Sequence, residues 1–543
     1  MSKVISADKA AALIRDGDTV GWTTVGLAAF AEELAIALEK RFLETGSPRN
    51  IVPVHTCGCG DGKSKGMSHL AHAGLVKRLI SGHTGQAPAM GKLIHDNEIE
   101  AFLLPQGVLA TMWRHIAGHK PGVITKVGIG TYVDPRLQGG KANARTKDDL
   151  VTVIDLAGAE WLLYKAFPLN VAVIRATTAD ENGNLTAEEE AVAAEALPMA
   201  QAAKNSGGIV IAQVKYLANG GTLHPKDVTV PGALVDYVVV ARPENHMQTI
   251  ASAYNPALAG NIRIPMGSIP PLGLNERKII ARRAAMELRP GMIVNLGIGV
   301  PDGVASVAAE EGVAHEFTLT TELGTYGGIP AAGGDFGAAY NADAIIEHEA
   351  QFDFYDGGGL DIAFLGLAQT DSTGNLNVSK FGTRVVGPGG FINISQSSKR
   401  VVFCGTLVNG AELAFEDGKA RVVREGATKK FVREVDQITF SGKFAIDQGV
   451  PVLYITERAA FELRKEGVTL IEIAPGLDLE RDVLAVMDFR PLIARDLVEM
   501  DSSLFHESWG GLKKLMLTSR GVAHANATDR QEYPNNSKEL SCV

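Results

Sequence analysis

Two hydrophobic periods alternate along the chain. Over residues 29–43 (AFAEELAIALEKRFL), Phe30, Leu34, Leu38 and Phe42 recur at the spacing of one helix face. Glu32 and Glu33 in the first turn, and Lys40 and Arg41 in the last, suit the helix dipole, and Gly46 just beyond can close the helix. A second helix is predicted over 276–288 (ERKIIARRAAMEL). Short β-branched runs at 209–214 (IVIAQV), 236–241 (DYVVVA), 401–404 (VVFC) and 451–456 (PVLYIT) read as buried strands. Buried strands alternating with helices predict an α/β fold with mainly parallel sheets. The pattern breaks at 255–274 (NPALAGNIRIPMGSIPPLGL), where prolines and glycines cluster without any period. The expected organisation is an N-terminal α/β domain over 1–254, this linker, a C-terminal α/β domain over 275–520, and a polar tail over 521–543.

The two halves repeat one another. Segments 170–185 and 361–376 both run from an apolar strand into Asp-x-x-Gly-Asn-Leu, at an offset of 191 residues. SGGIVIA at 206–212 matches SKRVVFC at 398–404, and DGDTV at 16–20 parallels RPGMIV at 289–294. The last pair is offset by about 274, so the N-terminal half carries about 83 extra residues between its matched blocks. Three matches in the same order predict two related open α/β domains with a site between them.

Composition narrows the function. A net charge of −10 leaves no basic excess for a nucleic-acid backbone or an anionic membrane. No run of about 18 apolar residues is present to span a bilayer. The first twenty residues carry Asp and Arg where a signal peptide needs an apolar stretch. Four cysteines are too few for a disulfide scaffold, so a reducing cytoplasm is expected. His55, Cys57, Cys59, His69 and His72 could be read as a metal cluster, but Cys-Gly-Cys spacing holds its sulfurs awkwardly, so buried thiols and no metal are expected. No Gly-x-Ser-x-Gly elbow marks a serine thioesterase.

Glycine is abundant, at 60 residues, and its clusters mark where backbone can approach a ligand. In Asn295-Leu-Gly297-Ile298-Gly299-Val300-Pro301-Asp302-Gly303, an apolar run enters and a small-residue helix leaves. That arrangement suits an anion at a helix N-terminus. As a dinucleotide fingerprint it lacks the third glycine, although Glu322 lies about 20 residues on, where a ribose-binding acid would sit. Glu322 also ends a strand-like run (FTLTT) and enters the glycine turn Leu323-Gly324-Thr325-Tyr326-Gly327-Gly328. A carboxylate held in line can attack a thioester, and neighbouring glycine amides can receive the oxyanion; alternatively Glu322 caps the turn or pairs with an arginine. Gly387-Pro388-Gly389-Gly390, beside a strand-like FINI, is either a tight turn or a nest of donors. Leu104-Pro105-Gln106-Gly107 could be any loop.

Together these segments resemble family I coenzyme A transferases, in the single-chain propionate/acetate and 3-oxoacid branch. The carrying motifs include GDTV (17–20), LPQG (104–107), KPGVITKVGIGTYVDPR (120–136), NLGIGVP (295–301), TLTTELGTYGGIP (318–330), GNLNVSKFG (374–382) and GPGGFINI (387–394). The matches run from about residue 10 to about 505. The resemblance implies that Glu322 attacks an acyl-CoA and becomes a glutamyl-CoA thioester, with ping-pong kinetics. It implies further that Gly297, Ile298, Gly299, Val300, Pro301, Gly389 and Gly390 line the coenzyme A and oxyanion side, and that Gln106 reaches in from the N-terminal half. Asn375 or Asn377 could assist. No permanent cofactor is implied. Coenzyme A and short-chain carboxylates are the substrates, in a homodimer or homotetramer. The stretch 21–31 departs from the family, lacking its Gly-Phe pair and proline. Trp22 and Phe30 there either narrow the acyl pocket or pack in the core, and packing is the expectation. Two rival functions remain: an acyl-CoA hydrolase on this scaffold, and a non-catalytic sensor of coenzyme A esters or sugar phosphates.

Overall fold

The computed structural model describes residues 3–265 and 271–528, the last nine by backbone alone. Among these residues, seven strands form one sheet: β1 (Thr19–Trp22), β2 (Val52–His55), β3 (Arg78–Ser81), β4 (Glu100–Leu103), β5 (Val171–Arg175), β6 (Ile209–Val214) and β7 (Tyr237–Val240). Their order is β7-β6-β5-β1-β2-β3-β4, and every neighbouring pair is parallel. Both faces are buried, which is why these strands read as continuous apolar runs rather than alternating ones. Val171 and Val173 pack on one face, Ala172 and Ile174 on the other.

The C-terminal half builds the same core around β8 (Ile293–Leu296), β9 (Thr318–Thr320), β10 (Thr325–Tyr326), β11 (Ala344–Ile345), β12 (Ile362–Gly366), β13 (Val401–Cys404) and β14 (Val452–Ile455). Strands β15 (Ala459–Arg464), β16 (Gly467–Ile473) and β17 (Leu492–Glu499) extend it, in the order β11-β10-β9-β8-β12-β13-β14-β15-β16-β17. The parallel block β14-β13-β12-β8-β9 has the order of β7-β6-β5-β1-β2. The repeat read from sequence is therefore a repeat of strands: β5 and β12 hold the 191-offset match, and β1 and β8 the 274-offset match. The extra length of the N-terminal half includes β3, β4 and the three-stranded sheet of Gly122–Thr125, Val151–Leu156 and Ala159–Lys165.

The helices relevant to the site are α1 (Glu32–Thr45), α2 (Gln106–Ala117), α3 (Glu276–Ala285), α4 (Gly303–Glu310), α5 (His348–Asp356) and α6 (Phe391–Ser397). Helix α1 starts three residues later than the apolar spacing predicts, because Ala29 adopts a φ of 56°. It runs on to Gly46, whose left-handed φ of 70° closes it, so Lys40 and Arg41 fall short of the last turn. The segment FINI is helical, not a strand: Phe391 and Ile394, three apart, suit a helix, and a four-residue apolar run cannot show its period.

Part of the expected linker is packed. Leu258 is buried against Ala331 and Ala338, and Asn341 exchanges hydrogen bonds of 2.8 Å with the Ile264 backbone. Residues 266–270 of that stretch lie outside the described residues. The expected polar tail begins inside a helix, Gly511–Thr528; the remainder, 529–543, lies outside the described residues. Among the described residues no helix is long and apolar enough to cross a membrane.

Candidate active site

The halves meet across α2, α5 and the glycine turn 387–390. Gly107 is forced at this contact: a Cβ there would lie 2.3 Å from Phe352 Cδ1. Its amide donates to Asn393 Oδ1 at 3.1 Å. Gly389, at a φ of 51°, donates to the carbonyl of Gly82 at 2.8 Å and accepts from the amide of Gln106 at 2.9 Å. A cavity of about 290 Å³ opens at this seam. The N-terminal half contributes Cys57, His83 and Gln106, and the C-terminal half Gly297, Ile298, Glu322, Phe336, Gly389 and Gly390, among others.

Glu322 sits where β9 ends. The Gly324 amide donates to the Thr321 carbonyl at 3.2 Å, and Thr321 and Thr325 join through their hydroxyls at 2.7 Å, closing a tight reversal into β10. Gly324 has a φ of 100°, and a Cβ there would lie 2.0 Å from the Ile346 carbonyl oxygen. Only glycine fits, so this residue fixes the aim of Glu322. Among the described residues no side chain donates to the Glu322 carboxylate. Burial pushes its pKa above the ordinary value, opposed by its own backbone amide and by His348 nearby. The alternative reading, in which Glu322 pairs with an arginine, finds no support in this geometry.

The donors around it sort themselves. The Gly297 amide is spent on the Phe364 carbonyl at 2.7 Å, Gly389 on Gly82, and Pro301 has no N–H. The Gly299 amide turns to Asp302 Oδ2 at 3.3 Å. The amides of Gly390, Ile298 and Val300 make no hydrogen bond with the described residues. Of these three residues Gly390 packs against Glu322: a Cβ built on it would lie 3.7 Å from Glu322 Cγ. Thus Gly297, Ile298, Gly389, Gly390, Gln106 and Glu322 come together in the cavity wall, while Gly299, Val300 and Pro301 lie beyond its lining. Ile298 is 65% exposed, at the mouth. Asn375 bonds Asp371 and Asn377 bonds Gln369, and neither lines the cavity. Trp22 and Phe30 stack at 5.2 Å in the core, as expected.

Other cavity groups were not evident in the sequence. Cys57 and Cys59 are buried thiols, and Cys57 faces the cavity. Burial first, and then Glu322, push the Cys57 pKa well up, so the thiol stays protonated. His83 is held neutral, its pKa lowered to about 4 by burial and then by Arg384. Among the described residues no lysine or arginine lines the cavity. His348 and Glu195, both fully buried, meet across the seam, and His348 Nε2 lies 2.9 Å from Gln106 Nε2. Nothing in the sequence pattern signals this pair, whose members stand 153 residues apart. Among the described residues no group of three or more histidine, cysteine or acidic side chains is arranged to hold a metal ion; His69 and His72 are taken up in ion pairs with Glu32 and Glu39.

The two repeated α/β halves thus meet at a cavity whose wall carries the carboxyl of Glu322 at a strand end. The family model described as coenzyme A transferase matches residues 4–241, and the chain is 53% identical to the caffeate CoA-transferase of Acetobacterium woodii over 95% of its own length and 100% of that protein's; it belongs to the coenzyme A transferase family. Within that family it is of the single-chain family I kind. It is 46% identical to the acetate CoA-transferase YdiF of Escherichia coli K12, over 92% of this chain and 95% of that one. The crystal structure of the acyl-CoA transferase YdiF from E. coli O157:H7, a thioester complex with CoA, superposes with a TM-score of 0.88. That pair shares 44% identity, over 94% of this chain and 97% of the other. The chain is an enzyme that transfers coenzyme A, with acyl-CoA and carboxylates as substrates.

Proposed function

We propose that this enzyme moves coenzyme A between short-chain acyl-CoA thioesters and free carboxylic acids by a ping-pong route, with Glu322 as the nucleophile. The observation that carries the reading is a carboxylate to which no described side chain donates, in the wall of a cavity between the halves that Gly390 and Gln106 also line. A Glu322 oxygen attacks the thioester carbonyl carbon, the carbon–sulfur bond breaks, and coenzyme A leaves as thiolate. The mixed anhydride is then attacked at the glutamyl carbon by that thiolate, releasing the first acid and leaving a glutamyl-CoA thioester. A second carboxylate attacks the glutamyl carbon, thiolate leaves, and its return to the new acyl carbon frees Glu322. The thioester bond is conserved, so no ATP is consumed, and two half-reactions through one covalent state give ping-pong kinetics.

Each tetrahedral oxyanion needs donors already in place; Gly390, whose amide makes no hydrogen bond with the described residues, and Gln106 both line the cavity and are the proposed donors. Burial raises the proton affinity of Glu322 and strips it of hydration, which increases its reactivity once ionised. Exclusion of water protects the intermediate from hydrolysis. The long body of coenzyme A supplies binding energy remote from the reaction. Acetate, propionate and 3-oxoacids are the proposed acids. Among the described residues the wall holds no lysine or arginine, which suits acids with one carboxylate, as do the acetate and caffeate in the names of the two relatives. The reading extends to two α/β domains joined near 255–274, and to a cytoplasmic homodimer or homotetramer.

The test is exchange of labelled coenzyme A between acetyl-CoA and propionate. Transfer requires the acceptor acid. Release of free coenzyme A at the same rate without propionate would favour hydrolysis instead.

A further inference from the structure

A buried chain of polar side chains crosses the seam behind the cavity, and the nucleophile alone does not explain it. Glu195 Oε1 accepts from Thr56 Oγ1 at 2.7 Å and contacts His348 Nδ1, while its Oε2 is buried with no partner among the described residues. His348, at the start of α5, meets Gln106 through Nε2. The other end of the Gln106 carboxamide makes no hydrogen bond with the described residues and faces the glycine turn: a Cβ on Gly389 would lie 3.6 Å from its Oε1. Thus the proton count on His348 decides which end of Gln106 the cavity meets.

Two states follow. A neutral imidazole with its proton on Nδ1 accepts from the Gln106 NH2 at Nε2, which leaves the amide oxygen facing the cavity. An oxygen there repels a developing oxyanion. A cationic imidazole donates from both nitrogens, so Nε2–H requires the amide oxygen. The carboxamide then turns half over, with little change of shape, and its NH2 faces the cavity beside Gly390 N–H. We propose that Glu195 and His348 are positioning residues that turn Gln106 into an oxyanion donor, and that the enzyme is competent only while His348 carries both protons. This rests on the reading of Glu322 as nucleophile.

The surroundings of His348 favour that state. Burial, the largest influence, opposes its charge, but the carboxyls facing it outweigh burial and raise its pKa above the ordinary value. Those groups are Glu195 from the N-terminal half, Glu349 on its own helix and Glu322 from the β9 turn. Glu349 is itself pushed up to about 7 by burial, with Glu195 adding to the rise and His348 and Arg114 opposing it. The sign follows: as pH rises through the raised value, Nε2 loses its proton, Gln106 turns back and the rate falls.

The experiment is the rapid-quench rate of adduct formation on Glu322 from acetyl-CoA, followed against pH. The wild type is expected to lose rate tenfold per pH unit on an alkaline limb. In Glu195→Gln that limb is expected to move down by a unit or more, with KM for acetyl-CoA within twofold. His348→Ala is expected to lower the rate on the order of a hundredfold, the usual loss on removing an oxyanion donor. His348→Gln, which keeps a neutral donor for the Gln106 oxygen, is expected to recover part of it and to show no limb. A limb at the wild-type position in either Glu195→Gln or His348→Gln overturns the proposal. Should those variants fail to fold, the ring ¹⁵N resonances of His348 in the wild type decide. Two protonated nitrogens at the pH of maximal rate are expected, and a lone Nδ1 proton is contrary. Adduct in the wild type with an unmoved limb defeats only the positioning role, whereas no wild-type adduct defeats the nucleophile and this inference together.

Discussion

Two strand ends occupy the same place in the repeated halves and have been put to opposite uses. Strand β2 lies beside the central β1 as β9 lies beside β8. Beyond β2 comes Thr56, whose hydroxyl is committed to the buried carboxylate of Glu195. Beyond β9 comes Glu322, to which no described side chain donates. Of these two carboxylates, Glu195 is shared between a hydroxyl and an imidazole, and Glu322 is left to the cavity. A buried carboxyl with one oxygen held by two partners is fixed in place; one with no side-chain donor at all is costly to the fold and chemically available. The repeat thus supplies two equivalent positions: a threonine at one is spent on Glu195, and a glutamate at the other is left to the cavity.

The comparison breaks most decisively at Glu322. Glu322→Ala is expected to abolish coenzyme A exchange, by at least about a thousandfold in kcat, while circular dichroism and cooperative unfolding stay intact. Retained exchange would move the chemistry elsewhere. Gly324→Ala comes next. With a φ of 100° and the Ile346 carbonyl 2.0 Å from the new Cβ, the turn must shift. A loss on the order of a hundredfold in kcat is expected from misalignment, with a stability loss of roughly 1–3 kcal/mol by denaturant unfolding.

Stability sharpens the contrast. Because the folded-state pKa of Glu322 is raised, folding favours its protonated form. The carboxylate costs stability above its folded pKa, and that cost vanishes below the unfolded value near 4.5. Glu322→Gln is therefore expected to be more stable than wild type at pH 7, by on the order of 1 kcal/mol, and to lose the advantage as pH falls toward 4. Glu195→Gln is expected to do the reverse at pH 7, since it removes the charge that His348 faces; unfolding curves of both at two pH values check the pair. The smallest effect is at Cys57. Its thiol faces the cavity but stays protonated, so Cys57→Ser is expected to keep kcat within about threefold, and thiol labelling of the wild type at pH 7 to be slow.

Much of this was legible in the sequence, for physical reasons. The strands at 209–214 and 401–404 coincide with their apolar runs because sheets buried on both faces select uninterrupted β-branched residues. The repeat was visible because three blocks kept their order, whereas the local pattern at Glu322 suited a turn cap or an arginine partner as well as a nucleophile, and only the family resemblance pointed to the nucleophile. What failed was local and short. FINI carries too few residues to separate helix from strand, and Ala29 broke a helix that apolar spacing alone would extend. Which glycine amides remain unspent is a matter of hydrogen bonding, so Gly390 and Gly389 looked alike until their partners were seen. The Glu195–His348 contact was out of reach, since two residues 153 apart leave no periodic trace.

The most direct measurement is mass-spectrometric mapping of the enzyme after incubation with acetyl-CoA and trapping of the covalent state. The account predicts coenzyme A, or its reductively trapped product, on the peptide that contains Glu322 and nowhere else. Its formation should be reversed when a second carboxylic acid is added. An adduct on another residue, or exchange that proceeds with no adduct at all, would contradict it.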